Sequence, residues 1–127
     1  MTATITITNP ILRGMNPDPS WIWDDEFQRI VLVTSTFELV PGLPIYVSED
    51  MTCWKHVSNV VDADLARRLL IPFVDDSGGV YAPTLRRIHG KYVIACTIAR
   101  LDDRRAMEGG CTESELMRFH AAAGNSI

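Results

Sequence analysis

The stretch whose residue types and spacing best suit chemistry is Asn16-Pro17-Asp18-Pro19-Ser20. Proline fixes its own φ and turns the residue before it away from the helical region, so Asp18, held between two prolines, is expected to be extended with little freedom. Its carboxylate is then aimed by the chain itself. The bland alternative is a turn aspartate, a common use of this residue. The three cysteines, Cys53, Cys96 and Cys111, offer less. They are odd in number, far apart and form no CxxC pair, so neither a disulfide framework nor a zinc site is expected. Cys53 and Cys96 lie in apolar segments and read as buried thiols acting as small hydrophobes.

The elements that must position Asp18 are short strands. Arg29–Ser35 is rich in β-branched residues, Pro44–Ser48 and Trp54–Val57 follow, and Ser48-Glu49-Asp50 makes the turn between these two. Gly79–Ile88 and Lys91–Ile98 flank His89-Gly90, the two-residue spacing of a tight hairpin, which predicts an antiparallel meander. The alternating Thr4–Thr8 also reads as strand. Asp62–Leu70 carries leucines at helical spacing behind an acidic start and predicts a short connecting helix. Near residue 100 the pattern changes. Thr112-Glu113-Ser114-Glu115 is a capping box ahead of Leu116, Phe119 and Ala123, which predicts a C-terminal helix closed by Gly124. The expected organisation is therefore an all-β unit over residues 1–100 and a helical or disordered tail over 101–127.

Composition bounds the function classes. The 127 residues are 46% hydrophobic and 22% charged, with a net charge of −4, as in one ordinary folded domain. Basic residues are scattered, so neither nucleic acid nor an anionic membrane is an expected partner. No apolar run approaches the ~20 residues of a membrane span. The first 20 residues carry no signal-peptide pattern, which makes a cytoplasmic location the default expectation.

Several further segments occur in one order with the Asp18 motif: Asn9-Pro10, Gly14, Thr34-Ser35-Thr36-Phe37-Glu38, Pro41-Gly42, Pro44-Ile45-Tyr46, and Asp76-Ser77-Gly78-Gly79-Val80-Tyr81-Ala82-Pro83-Thr84-Leu85-Arg86. This ordered set resembles the N-terminal part of glycoside hydrolase family 43, the β-xylosidases and α-L-arabinofuranosidases built on a five-bladed β-propeller. The resemblance covers roughly residues 9–97. It implies a partial propeller of about two blades, because five blades of ~40–45 residues need more chain than this.

The resemblance also implies an activity: inverting hydrolysis of O-glycosidic bonds in xylose- or arabinose-containing saccharides, with Asp18 as general base and no cofactor. One carboxylate deprotonates a water while a protonated carboxyl serves the leaving oxygen, and an aspartate orients that acid. The acid and the orienting aspartate belong to later blades. Glu108-Gly109 lies too early for the family's acid motif, and Glu113 and Glu115 read as first-turn helix carboxylates. Substrate contacts implied by the matching positions are Phe37 against the sugar, Tyr81 where the family has tryptophan, and Asp76 in the loop bordering the site. Phe37 reads equally as a rim or core residue. Leu39 and Val40 replace aromatics that usually follow the Phe-Glu pair. Arg86 is expected to be a structural ion-pair partner, and Trp54 and Tyr46 to serve packing between blades. A truncated chain of this kind is expected to be inactive alone and to self-associate through exposed blade edges. The alternatives are a non-catalytic carbohydrate-binding fragment and a truncated product without function.

Overall fold

In the computed structural model, the described residues are 4–74, 76–100 and 120–123, the last four as backbone only. The strands are β1 (Ser20–Asp24), β2 (Arg29–Val33), β3 (Gly42–Ser48), β4 (Lys55–Val61), β5 (Gly79–Ile88), β6 (Lys91–Ala99) and β7 (His120–Ala123). They form an antiparallel four-stranded sheet in the order β1-β2-β3-β4 and a three-stranded sheet in the order β5-β6-β7. Within each sheet consecutive strands are neighbours, and short turns join β1 to β2 and β5 to β6.

Alternation along the strands decides what lies between the sheets. Trp21 pairs with Leu32 and Ile22 with Val31, so one face of the first sheet presents Ile22, Val31, Val33 and Ile45. These meet Val80, Leu85, Ile94, Cys96 and Ile98 of the second sheet in one core. The other face carries Ile30 and Leu32 with Trp21 and Trp23, which are 58% and 43% exposed. A soluble sheet seldom shows so much aromatic surface on an unpartnered face.

A polar staple also joins the sheets. Asp24, fully buried at the end of β1, accepts the amides of Glu26 and Phe27 at 3.0 and 3.3 Å and the hydroxyl of Tyr92. Arg87 of β5 lies 3.3 Å from the same carboxylate and also pairs with Glu26. Burial alone would raise the Asp24 pKa. The Tyr92 hydroxyl, the two amides and the Arg87 charge outweigh it, and the net shift is downward.

Four expectations are corrected. Thr4–Thr8 is not a strand: Ile5 and Ile7 are exposed and the segment meets no sheet edge, without which alternation has nothing to pair with. Cys53 is exposed in the turn before β4, where its amide serves the Asp50 carboxylate, whereas Cys96 is buried. The ion pairs expected of Arg86 fall to Arg87, because alternation turns Leu85 and Arg87 toward the first sheet while Arg86 reaches the Leu85 carbonyl at 2.7 Å. The C-terminal helix is not supported. His120–Ala123 form β7 against β6, from Cys96↔His120 to Val93↔Ala123, so pairing with an open strand edge overrides local helical pattern. Residues 101–119, with Glu108, Glu113 and Glu115, lie outside the described residues.

The remaining elements follow their local chemistry. Helix α1 (Ala63–Arg68) starts at Asp62, whose carboxylate accepts the Leu65 amide at 2.8 Å. Leu70 in the left-handed region and Pro72 stop it. At the β5–β6 hairpin, His89 and Gly90 have φ of 50° and 75°, the two positive values that a tight turn of this kind demands.

Candidate active site

Three chain segments meet at one end of the sheets: Pro17–Ser20, the residues 34–38 that follow β2, and the first half of β5. The segment after β2 does not turn away. Phe37 forms a bridge with Val80, donating its amide to the Val80 carbonyl at 3.0 Å and accepting the Val80 amide at 2.8 Å. This approach needs Gly79, whose φ is +101°. A Cβ there would lie 2.0 Å from the Phe37 carbonyl oxygen.

The register of β5 shifts between Tyr81 and Thr84, where Ala82 has a positive φ of 43° and Pro83 has no amide proton. A strand irregularity releases amides from the ladder, and serine hydroxyls of β1 and of the segment after β2 take them. Ser35 Oγ accepts the Ala82 amide at 2.7 Å and Ser20 Oγ accepts the Leu85 amide at 3.0 Å. Ser35, fully buried, then turns its own proton toward Asp18 Oδ2 at 2.7 Å, while its amide donates to the Pro17 carbonyl at 2.9 Å.

Asp18 is therefore gripped at its side chain and at the preceding carbonyl. Its backbone departs from the expectation. φ is +50°, not extended, despite the following proline. Aspartate tolerates this region better than most residues, and such strain costs on the order of 1–3 kcal/mol, which the two Ser35 bonds help to hold. The carboxylate remains open to solvent on its other side, since the residue is exposed.

Beside it, the half-buried rings of Phe37 and Tyr81 stack with centroids 4.3 Å apart and an interplanar angle of 28°. The Tyr81 hydroxyl donates to the Ser77 carbonyl. Its pKa is raised by burial first, then by the negative charges of Glu38 and Asp18, which places both carboxylates near this ring. Asp76 is exposed in the turn leading to β5, one residue before Ser77. Asp18, Phe37 and Tyr81 thus share one rim, with Asp76 in the adjoining turn. Sequence reasoning gave no separate role to Ser35 or Glu38. The available signal was the run Thr34-Ser35-Thr36, three hydroxyl residues continuing a buried apolar strand and buried themselves.

A groove of about 370 Å³ lies on the outer face of the first sheet, between Pro10, Trp21, Leu32 and Trp54, and reaches Pro19 and Thr34 next to Asp18 and Ser35. No titratable side chain lines it, so it offers packing and no acid or base chemistry. Among the described residues no cluster of three or more His, Cys, Asp or Glu could hold a metal ion.

Comparison with known proteins places this arrangement. Residues 7–122 match the family model described as Glycosyl hydrolases family 43. A non-reducing end alpha-L-arabinofuranosidase of Bacteroides ovatus is 43% identical over 94 residues, covering 72% of this chain and 17% of that protein. A beta-xylosidase of Bacillus subtilis is 37% identical over 97 residues, covering 76% and 17%. Among solved structures, a GH43 protein of Bacillus licheniformis superposes with a TM-score of 0.66 at 31% identity, over 73% of this chain and 17% of that one. A xylan beta-1,4-xylosidase of Bacillus halodurans gives 0.61 at 29% identity, over 76% and 18%. The chain thus spans 17% of the length of the curated relatives described here. The two sheets correspond to part of the propeller of these enzymes.

Proposed function

The chain belongs to family 43 of the glycosyl hydrolases, and on that premise we propose that its Asp18 rim supplies the general base for hydrolysis of glycosidic bonds in xylose- or arabinose-containing saccharides. The observation that carries this reading is the fixed, solvent-facing carboxylate of Asp18, gripped by Ser35 beside the stacked Phe37–Tyr81 pair. A base held in place before substrate arrives loses little orientational freedom on binding. Its ionised oxygen takes a proton from a water whose oxygen bonds to the anomeric carbon on one side of the sugar, while the bond to the leaving oxygen breaks on the opposite side and that oxygen is protonated by a separate acid, inverting the anomeric centre. Phe37 and Tyr81 provide apolar ring surface for the sugar, and Asp76 a hydroxyl contact at the border. No described residue is assigned as the acid.

The reading includes association through the outer face of the first sheet. Trp21 and Trp23 are exposed there beside the groove, and another sheet layer would cover them. Sedimentation at micromolar concentration is expected to show species larger than a monomer; a monomer throughout would remove this part.

The substrate class is tested by mapping amide shifts of the labelled chain during titration with xylobiose and with an arabinose-containing oligosaccharide. Shifts are expected at Asp18, Phe37, Asp76 and Tyr81. Shifts confined to Trp21 and Trp54, or none at millimolar sugar, would contradict the assignment.

A further inference from the structure

Building on the assignment of Asp18 as the base, we propose that Ser35 is a positioning residue that couples the Asp18 carboxylate to the backbone of β5. The inference rests on three contacts made by one buried side chain and its amide. Ser35 Oγ donates to Asp18 Oδ2 at 2.7 Å, the same oxygen accepts the Ala82 amide at 2.7 Å, and the Ser35 amide donates to the Pro17 carbonyl at 2.9 Å. A hydroxyl has one proton to give and lone pairs to receive with, so accepting from Ala82 leaves its proton for the carboxylate. The chain Ala82 N–H to Ser35 O–H to Asp18 therefore has a single direction.

That direction has a chemical consequence. Bonds in such a chain polarise one another, and a negative carboxylate strengthens both the bond it accepts and the one behind it. Ser35 occupies Oδ2, which leaves Oδ1 as the oxygen free of this bond and available to a water. The serine thereby fixes the carboxylate relative to β5, the strand that carries Tyr81. Asp18, with its strained φ of +50°, has no other side-chain hydrogen bond among the described residues. Glu38 and Asp18 both act on Tyr81 and Asp76 stands in the adjoining turn, so Asp18→Asn serves to separate Asp18 from the other two carboxylates.

The test follows the Ala82 amide of the labelled full chain by NMR through the acid range. In the wild type its proton shift is expected to move with ionisation of Asp18, and Ser35→Thr, which keeps the hydroxyl, is expected to preserve the movement. Asp18→Asn is expected to abolish it while the amide stays protected, and Ser35→Ala to abolish it and speed amide exchange about threefold to tenfold, the range expected for one lost hydrogen bond. A serine that merely caps the Ala82 amide would give protection without any Asp18-dependent movement. A static Ala82 shift in the folded wild type, or equal movement in Asp18→Asn, would overturn the proposal. If Ser35→Ala fails to fold, the wild type, Ser35→Thr and Asp18→Asn still decide it. Hydrolysis is not read in this experiment, so an intact coupling alongside turnover indifferent to Asp18 would remove the base assignment and leave the coupling standing.

Discussion

Gly79→Ala perturbs the point where the two sheets come closest at the site. The new Cβ would meet the Phe37 carbonyl oxygen at 2.0 Å, its carbon at 2.2 Å and the Glu38 amide nitrogen at 2.6 Å. All three are backbone atoms, so no side-chain rotation can relieve the clash. The segment 36–38 must retreat, which breaks the two bonds between Phe37 and Val80, each contributing ~0.5–1.5 kcal/mol. An L-residue at positive φ adds ~1–2 kcal/mol. Reduced freedom of the unfolded chain returns ~0.4–1 kcal/mol. The net loss is about 2–4 kcal/mol, or roughly 8–16 °C in Tm for a domain of this size. Gly90→Ala is the control, because φ is +75° with nothing within 4 Å of the new Cβ, and only the conformational cost applies. Urea and thermal unfolding of both variants, followed by circular dichroism, make the measurement. Equal losses in the two variants would refute the close approach of Phe37 to β5.

Three further outcomes test the frame around the site. Because the Asp24 carboxyl titrates below its ordinary 3.8, its contribution is complete above that pH and drains away as pH falls through the folded value; urea midpoints measured downward from pH 5 should fall less steeply in Asp24→Asn than in the wild type. At neutral pH the same variant should lose about 3 kcal/mol, the low end for breaking a buried pair, since Glu26 still faces Arg87. We propose residues 1–100 as the unit that carries the site; deleting 101–127 also strips β7 from the edge of β6, so thermal melting should show a loss above ~2 kcal/mol, and a smaller loss would mean that the β6–β7 pairing contributes little.

What could be read from the sequence was whatever depends on near neighbours. β-Branched runs and turn chemistry located β2, β3, β5 and β6, His89-Gly90 fixed the hairpin, and Asp62 announced the start of α1. What depends on a distant partner was not legible. Thr4–Thr8 has strand alternation but no edge to pair with, while Trp21-Ile22-Trp23, with no turn signal to mark it as strand, found one in β2. His120–Ala123 joined β6 against a helical pattern. At the site the same division holds. Asp18, Phe37 and Tyr81 were singled out as residues, but the left-handed backbone of Asp18 and its grip by Ser35 arise from contacts across 17 positions in the chain. A run of three hydroxyl residues beyond β2 was the only local hint of that grip.

Proposed as the general base, Asp18 is probed most directly with a substrate whose leaving group departs without protonation, which isolates that step from any acid. Hydrolysis of 2,4-dinitrophenyl β-D-xyloside and the corresponding α-L-arabinofuranoside by the full chain and by Asp18→Asn is the direct measurement. On glycosides whose leaving oxygen needs a proton the chain alone is expected to be inactive, whereas on these activated ones turnover above the buffer rate is expected for at least one, with release of a sugar of inverted anomeric configuration and a loss of ~10²–10⁴-fold in Asp18→Asn. A rate indistinguishable from buffer, a retained configuration, or turnover unchanged by the substitution would contradict it.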